Sequence, residues 1–312
     1  MAQDVLLQAS NLHRHYGRHH AVAGVSIRIH QGEVLGLLGP NGAGKSTMMQ
    51  MLTGNIAPGS GQITIAGIDL LDDPREAKQH IGYLPEQPPV YRDMTVLEYL
   101  RYCAKLHGLV SHQLTSAVDF AMQRCGLTEV GKRLIGNLSK GYQQRTGIAQ
   151  AILHQPSVVI LDEPTVGLDP VQINEIRKLI RELGNDHSVI LSTHILPEVK
   201  MICDRVQIMT QGKTAFEDTL EGLERRHGDP VLLLGFNHEI DTTKLEALQE
   251  IIKVENVGLG RYKVHFQGHQ HFADTICKLA FAERWEITEL TPQSSSLESI
   301  FLDLVHREGE AA

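Results

Sequence analysis

Residues 39–47 read Gly-Pro-Asn-Gly-Ala-Gly-Lys-Ser-Thr, and this stretch decides the fold. It follows the apolar run Val34–Leu38 and leads into the helix-forming run Ser46–Leu52, so it predicts a glycine-rich loop between a buried strand and a helix N-terminus. This is a P-loop in its required context. Glycines let the backbone approach a polyphosphate closely, and free N–H groups at the helix start face its oxygens. We expect Lys45 to reach the β- and γ-phosphates and Ser46 to offer its hydroxyl to Mg²⁺.

The length and composition limit the possible architecture and partners of the chain. Its 312 residues, of which 42% are hydrophobic, suffice for about two domains that each bury a core. No apolar run reaches the roughly 18 residues that span a bilayer, and the N-terminus lacks a basic region followed by an apolar core. We therefore expect a cytoplasmic protein that forms no pore itself. The net charge of −8 disfavours nonspecific nucleic-acid binding, which needs a basic face.

A second apolar strand ends in two carboxylates. The run Val158–Leu161 is followed by Asp162 and Glu163, as in a Walker B motif. We expect Asp162 to hold Mg²⁺ through its water shell and Glu163 to polarise the attacking water. His194 follows a further buried strand, and ligands bind at the carboxyl ends of parallel strands. His194 is therefore well placed for the γ-phosphate.

The N-terminal runs Val5–Tyr16 and Ala21–His30 predict an antiparallel hairpin that turns at Gly17 and Arg18. Tyr16 ends the first strand, where it either stacks on a nucleotide base or is a half-buried strand tyrosine. No cysteine or paired carboxylate accompanies the nearby histidines, so a solvated turn is favoured over a metal site. These histidines are His13, His15, His19 and His20.

The block Asp93–Gly136 has helical periodicity and little strand character. Thr95 is a suitable N-cap for its first helix, and Ser111 or Thr115 for its second. A helical insertion of this size in a nucleotide-binding core indicates a surface for a partner. The next helix begins at Ser139, its predicted N-cap, with Gly141 in its first turn. That start is a second candidate anion site, although many helices begin with serine.

Taken in order, these motifs closely resemble the nucleotide-binding subunit of an ATP-binding cassette (ABC) transporter over about residues 4–225. The resemblance implies an ATPase with ATP and Mg²⁺ as cofactors. It implies that Glu163 is the catalytic base, His194 the switch histidine and Asp169 the D-loop aspartate. It also implies nucleotide binding by an adenine-stacking aromatic and the Walker A loop, which are Tyr16, Gly39, Pro40, Asn41, Gly42, Ala43, Gly44, Lys45, Ser46 and Thr47.

Two motifs depart from the common family form. The signature at residues 138–142 reads Leu-Ser-Lys-Gly-Tyr instead of Leu-Ser-Gly-Gly-Gln, so Lys140 and Tyr142 are replacements. The resemblance implies that the retained Ser139 and Gly141 contact the γ-phosphate bound by a facing subunit. In the run 81–87 the usual glutamine position is occupied by a glutamate, with a glutamine beside it. The implied Mg²⁺ ligands are therefore Ser46, Asp162 and either Glu86 or Gln87.

Beyond residue 225 the pattern changes to the order βαββαβα, with helices predicted over Lys244–Ile252 and, at the end, over Leu297–His306. This order predicts a small ferredoxin-like α+β domain. The patterns and the resemblance together imply an α/β P-loop NTPase core of ABC type at 1–225. This core has an antiparallel β subdomain and a helical subdomain at about 93–155, and an accessory domain follows at 226–312. The signature variant, the Gly-Tyr-Leu-Pro-Glu run and this extension resemble the ABC-2 type branch. That branch includes subunits of drug export, gliding motility and copper-enzyme maturation.

The resemblance implies a cytoplasmic ATPase that is held at the membrane by a separate transmembrane permease subunit of ABC-2 type. It further implies a homodimer of two nucleotide-binding subunits around two ATP molecules. The main rival is a soluble ABC protein of translation or DNA repair. Translation-type members carry two cassettes and repair-type members carry long coiled coils, whereas this chain has one P-loop and a short insertion. A GTPase or a small-molecule kinase is disfavoured by the Leu-Ser-x-Gly signature and the lack of an Asn-Lys-x-Asp motif.

Overall fold

The computed structural model describes residues 4–227, 231–266, 272–293 and 301. The described chain separates into two compact units between Leu220 and Glu221. The domain boundary at 225/226 stays a prediction.

The first unit contains ten strands and most of the helices. The strands are β1 Val5–Tyr16, β2 His19–His30, β3 Val34–Leu38, β4 Ser60–Ile65, β5 Ile68–Asp69, β6 Ile81–Leu84, β7 Val158–Asp162, β8 Ser188–Thr193, β9 Arg205–Thr210 and β10 Lys213–Thr219. The helices are α1 Lys45–Leu52, α2 Pro74–Gln79, α3 Val96–Leu106, α4 Ser111–Arg124, α5 Lys140–Ile152, α6 Pro170–Leu183, α7 Leu196–Ile202 and α8 Leu220–His227, which crosses the division between the units.

Two sheets organise this unit. The antiparallel sheet has the order β2-β1-β4-β5, and the larger sheet has the order β10-β9-β3-β8-β7-β6. In the larger sheet β9, β3, β8, β7 and β6 are parallel, and β10 is antiparallel to β9. Strands β3, β7 and β8 are fully buried, as expected for strands covered on both faces. The predicted hairpin, the antiparallel subdomain and the parallel core are thus confirmed.

The strand register brings the predicted motifs to one edge. Leu38 of β3 pairs with Thr193 of β8, and Asp162 of β7 pairs with Ser192 of β8. The P-loop, Glu163 and His194 follow directly after these strand ends. Because parallel strands end at the same edge of a sheet, three motifs that are far apart in sequence become neighbours.

In the helical subdomain, one predicted N-cap is confirmed and the other prediction is wrong. The Thr95 hydroxyl accepts a 3.2 Å hydrogen bond from the Glu98 N–H, and the Glu98 carboxylate accepts one from the Thr95 N–H at 2.9 Å. Neither Ser111 nor Thr115 caps α4, whose N-cap is Val110 without a side-chain bond. Ser111 is the first residue of α4 and therefore lies inside the helix. Thr115 lies one turn further along, where its hydroxyl donates to the Ser111 carbonyl at 3.5 Å.

The second unit is one antiparallel sheet with helices. Its elements are β11 Val231–Phe236, α9 Thr243–Glu246, β12 Ile251–Gly258, β13 Arg261–Phe266, α10 Phe272–Glu283 and β14 Ile287–Gln293. The order β12-β13-β11-β14, with every neighbouring pair antiparallel, is that of a ferredoxin-like sheet. The predicted fold class is therefore confirmed. The predicted closing helix Leu297–His306 lies outside the described residues except for Phe301, which is helical.

One helix of this unit was predicted too long. A helix was expected over Lys244–Ile252, but α9 is a single turn and β12 begins at Ile251. Ile251 pairs with Phe266 of β13. Strand pairing within the sheet thus overrides the local helical pattern at this end.

Candidate functional site

The P-loop wraps around the start of α1. Gly44 is the N-cap of α1 with a φ of 99°, a left-handed conformation that L-residues with side chains rarely adopt. A Cβ at this position would also collide with the Ala21 carbonyl oxygen. The first helical bond runs from the Met48 N–H to the Gly44 carbonyl at 2.9 Å. The N–H groups of the first turn thus have no partner within the helix and are free to bind an anion.

Lys45 is buried and held by the loop. Its Nζ donates to the carbonyls of Gly39 at 2.8 Å and Pro40 at 3.2 Å, and lies 3.6 Å from Glu163 Oε1. Burial lowers the pKa of Lys45, while Glu163 and Asp162 act in the opposite direction. The ammonium is therefore fixed at the strand edge between the loop and the Walker B carboxylates.

Glu163 connects this lysine to His194. Glu163 Oε2 lies 2.9 Å from His194 Nδ1, and because an ionised carboxylate only accepts, the imidazole is the donor. Burial raises the pKa of Glu163, and His194 and Lys45 oppose this shift. Glu163 also has a φ of 46°, a conformation that costs free energy in a residue with a side chain. Such strain is typical of functional positions, and here it aims the carboxylate between a lysine and a histidine.

Asp162 has an unpaired oxygen. The residue is 4% exposed, and its Oδ1 has no hydrogen-bond partner among the described residues. Burial raises the pKa of Asp162, while the Ser192 hydroxyl, the Lys45 ammonium and the Ser46 hydroxyl oppose the shift. A buried carboxylate oxygen without a donor is costly, and a hard divalent cation is a suitable partner for it.

One cavity of about 420 Å³ joins Lys45, Glu163 and His194, whereas Asp162 does not line it. It is lined by Tyr16, Asn41, Gly42, Gly44, Lys45, Ser46, Thr47, Glu86, Glu163 and His194, together with His19, Ala21 and Val166. Tyr16 is 46% exposed, and the Arg14 guanidinium lies 5.2 Å from its ring centre. Gln87 lines a neighbouring cavity of about 350 Å³ instead, whereas Glu86 lines both.

The signature and D-loop residues lie elsewhere in the chain. Ser139 caps α5 by accepting from the Tyr142 N–H at 3.5 Å, and Asp169 caps α6 by accepting from the Gln172 N–H at 2.9 Å. Neither Ser139, Gly141 nor Asp169 lines the cavity that holds the P-loop. Within one chain, the predicted site is thus divided into two groups of residues.

Sequence reasoning missed several residues around the site. His19 and Val166 line the cavity. Glu198 is completely buried and accepts from the Thr165 hydroxyl at 2.6 Å and the Thr193 hydroxyl at 2.8 Å. It thereby ties the turn after Glu163 to the end of β8. In the sequence Glu198 resembles an ordinary acidic residue of a first helical turn, so no local signal reveals this role.

The hairpin histidines pack against one another beside the cavity. The His15 and His20 ring centres are 3.7 Å apart, and His13 Nδ1 lies 3.3 Å from His20 Nε2. Partial desolvation and the neighbouring His15 and His13 rings lower the pKa of His20. These contacts order the end of the hairpin at which Tyr16 pairs with His19.

Known proteins are similar to this chain in sequence and in fold. Residues 22–166 match the ABC transporter family. The uncharacterized ABC transporter ATP-binding protein YxlF of Bacillus subtilis is 34% identical over 305 residues, which cover 96% of this chain and 100% of that protein. The bacitracin transport ATP-binding protein BcrA of Bacillus licheniformis is 34% identical over 308 residues, which cover 96% of this chain and 97% of that protein. The chain belongs to the ABC transporter ATP-binding proteins.

Solved structures of ABC proteins agree with this assignment. CbiO1 from Clostridium perfringens, part of the ABC transporter complex cbiONQ, superposes with a TM-score of 0.66 at 29% identity, covering 72% of this chain and 92% of that one. Another ATP-binding subunit of an ABC transporter has a TM-score of 0.64 at 31% identity, covering 71% of this chain and 92% of its own.

As an ABC ATP-binding protein, the chain binds ATP and is an ATPase coupled to transport, which confirms the predicted enzyme class. ABC subunits of this kind are cytoplasmic, dimerise and work with transmembrane permease subunits. In the described part of this ABC protein, no helix combines the length and apolar character needed to cross a bilayer. The individual residue roles stay predictions.

Proposed function

We propose that this ABC protein is the ATP-hydrolysing subunit of an ABC-2 type transporter, and that two copies enclose two ATP molecules and drive separate transmembrane subunits. The signature variant at 138–142, the Gly-Tyr-Leu-Pro-Glu run at 82–86 and the ferredoxin-like unit support this branch. A relative matched over nearly its whole length is named for bacitracin transport, which supports a drug-export role over gliding motility or copper-enzyme maturation.

The chain of contacts from Lys45 through Glu163 to His194 carries the proposal. Hydrolysis requires a water oxygen to bond to the γ-phosphorus while the bond from that phosphorus to the bridging oxygen of ADP breaks. Glu163 accepts the proton of this water, and burial makes its carboxylate a stronger base than an exposed one. His194 holds the carboxylate in place, and Lys45 stabilises the phosphate charge. Tyr16, on the same cavity, stacks on the adenine.

The residues present fit a Mg²⁺ ion. We assign the ion to Asp162, whose buried Oδ1 has no partner among the described residues, and to the Ser46 hydroxyl, which lies at the P-loop helix start. Glu86 is favoured over Gln87 as a further ligand because only Glu86 lines the cavity with Ser46. A Mg²⁺ ion held there would supply positive charge next to the phosphate oxygens.

The separation of the predicted site residues into two groups supports a nucleotide site that two copies of the chain share. Ser139, Gly141 and Asp169 do not line the cavity of their own chain, so we assign them to the nucleotide held by a second copy. A closed interface of this kind excludes water other than the attacking one, and it strengthens the electrostatic contacts to the phosphates.

Mixing two inactive variants tests the shared site. Lys45→Ala deletes the phosphate cation, and Ser139→Arg places bulk and charge at the signature, so each homodimer has two damaged sites. In a heterodimer one site combines both lesions, and the other has an intact Lys45 and an intact Ser139. ATP-dependent association and phosphate release should therefore partly return on mixing. No recovery in demonstrated heterodimers would count against the shared site.

A further inference from the structure

Lys140, which replaces a glycine of the common signature, has a partner in its own chain. It is the first residue of α5, directly after Ser139. A Cβ built on Gly167 would collide with Lys140 Nζ and lie 3.2 Å from its Cε. Gly167 has a φ of 71° and belongs to the turn between Glu163 and Asp169. The lysine side chain therefore covers the Cα of this glycine, and a side chain at 167 would displace it.

The neighbouring Gly141 makes a second contact with the same region. A Cβ on Gly141 would lie 2.9–3.1 Å from side-chain atoms of Gln172. The Gln172 N–H donates to Asp169 Oδ1 at 2.9 Å. Two consecutive signature residues thus contact the chain on either side of Asp169, one at Gly167 and the other at Gln172.

The contact between Lys140 and Gly167 is a packing contact. Among the described residues, no carboxylate forms an ion pair with the Lys140 ammonium. Lys140 is exposed, and it lines the cavity of about 350 Å³ together with Glu86 and Val166. Val166 precedes Gly167 and also lines the P-loop cavity. The turn after Glu163 therefore faces the nucleotide site on one side and Lys140 on the other.

We propose that Lys140 is a positioning residue for the shared site. By packing on Gly167, it sets the turn 163–169 against the signature helix, so that Ser139 and Asp169 meet the partner's nucleotide as one unit. This inference rests on the proposed function, in which both residues face the same second copy. Positioning matters there because displacements of about 1 Å in a reacting assembly lower rates strongly. With glycine at 140, the Gly141–Gln172 contact and the 2.7 Å ion pair between Arg145 and Glu175 would still join α5 to α6, but neither contact reaches the turn 163–169 itself.

A double-mutant cycle tests the contact. The readout is ATP-dependent self-association of the full chain carrying Glu163→Gln, which prevents turnover. In this background, Lys140→Ala and Gly167→Ala should each raise the protein concentration at half-association by about 5-fold to 30-fold. Both changes remove the same contact, so the double variant should fall well short of the product of the two effects. Lys140→Met, which keeps the length of the side chain, should recover most of the loss caused by Lys140→Ala.

Two controls separate positioning from other causes. Gly108→Ala introduces an alanine at a φ of 79° with no atom within 4 Å of the new Cβ, so it shows the effect of comparable backbone strain away from the turn 163–169 and should leave association unchanged. Binding of a fluorescent ATP analogue to dilute monomers should also be unchanged in the Lys140 and Gly167 variants, because Lys45 and the P-loop are intact.

The outcomes distinguish this inference from the proposed function. If the double variant raises the concentration at half-association by the product of the two single effects, Lys140 and Gly167 act independently and the inference is overturned. Normal association of Gly167→Ala with no recovery by Lys140→Met would also overturn it, because the ammonium would then act directly on the partner's phosphates. If the parent chain with Glu163→Gln does not associate in ATP, the proposed dimer is wrong and the inference is overturned with it.

Discussion

The two compact units bury different kinds of side chain. The nucleotide-binding unit encloses lysine, carboxylate and amide groups, among them Lys45, Asp162, Glu163, Glu198 and Gln207. Among the described residues of the C-terminal unit no charged side chain is buried, and the core consists of groups such as Leu234, Phe236 and Tyr262.

Part of this difference reflects what function needs: Glu198 and Gln207 hold elements together, whereas Lys45, Asp162 and Glu163 belong to the proposed site. Burying a polar group costs free energy unless it is paired, so a unit retains such groups where its chemistry requires them. Asp162 keeps an unpaired oxygen and Glu163 a strained backbone, and both stand at the strand ends that form the cavity. The C-terminal unit has the features of a scaffold instead.

The largest expected effect is the loss of hydrolysis in Glu163→Gln. Removing the base should lower the rate of phosphate release by about 10²- to 10⁴-fold while leaving ATP binding intact, because Lys45 and the P-loop remain. Size-exclusion chromatography with and without ATP should then show a trapped dimer. Turnover at the wild-type rate would remove Glu163 from the role of base and weaken the contrast between the units.

A matched pair of leucine-to-alanine substitutions, one in the core of each unit, tests the difference between the two units. Leu234 and Leu191 are both fully buried, the first in β11 and the second in β8. Replacement of either leucine by alanine should cost about 2–5 kcal/mol of unfolding free energy in its own unit. Only Leu191→Ala should weaken ATP binding, because β8 carries the site.

The single tryptophan of the chain reports on the C-terminal unit of this pair, and circular dichroism follows the unit that contains Leu191. Trp285 lies in the C-terminal unit and packs edge-on against Phe236, with ring centres 5.6 Å apart. The midpoint of the urea unfolding transition that its fluorescence reports should shift to a lower urea concentration for Leu234→Ala. Loss of ATP binding in a folded Leu234→Ala protein would show that the C-terminal unit is part of the site.

The smallest expected effect concerns pH. His154 stacks on His107 with ring centres 4.0 Å apart, and its Nε2 donates to the Ile81 carbonyl at 2.9 Å. Burial, and then the charge of His107, lower the pKa of His154 to about 4, while the Ile81 carbonyl opposes the shift and His187 and His80 add to it. The unfolded state thus binds the proton more tightly.

Stability should accordingly be complete above pH of about 6.5, fall as the pH drops towards 4, and level off below that. Between pH 7 and 4, the preferential protonation of His154 in the unfolded state should lower the free energy of unfolding by roughly 2–3 kcal/mol. Urea unfolding between pH 7 and 4 should show a shallower decline for His154→Gln than for the parent chain, with the exposed His19→Gln as a control. Identical pH profiles for all three proteins would contradict the assignment.

Local sequence determined much of this protein. The P-loop spacing, the Walker B strand and the Thr95 cap were readable because each depends on residues within one element and its neighbours. The failures had a different origin. Lys244–Ile252 has a helical pattern, yet pairing with β13 makes its end a strand, and Ser111 has the right chemistry for a cap but lies inside α4.

Tertiary structure alone decided which of these parts meet. Glu86, not Gln87, reached the P-loop cavity, the Glu198 carboxylate tied two loops together, and Lys140 lay on Gly167. Each of these contacts joins residues that are far apart in the chain or that differ only in the direction of a side chain. Sequence pattern encodes local conformation through propensity and period, whereas such contacts depend on strand order, register and packing across the whole unit.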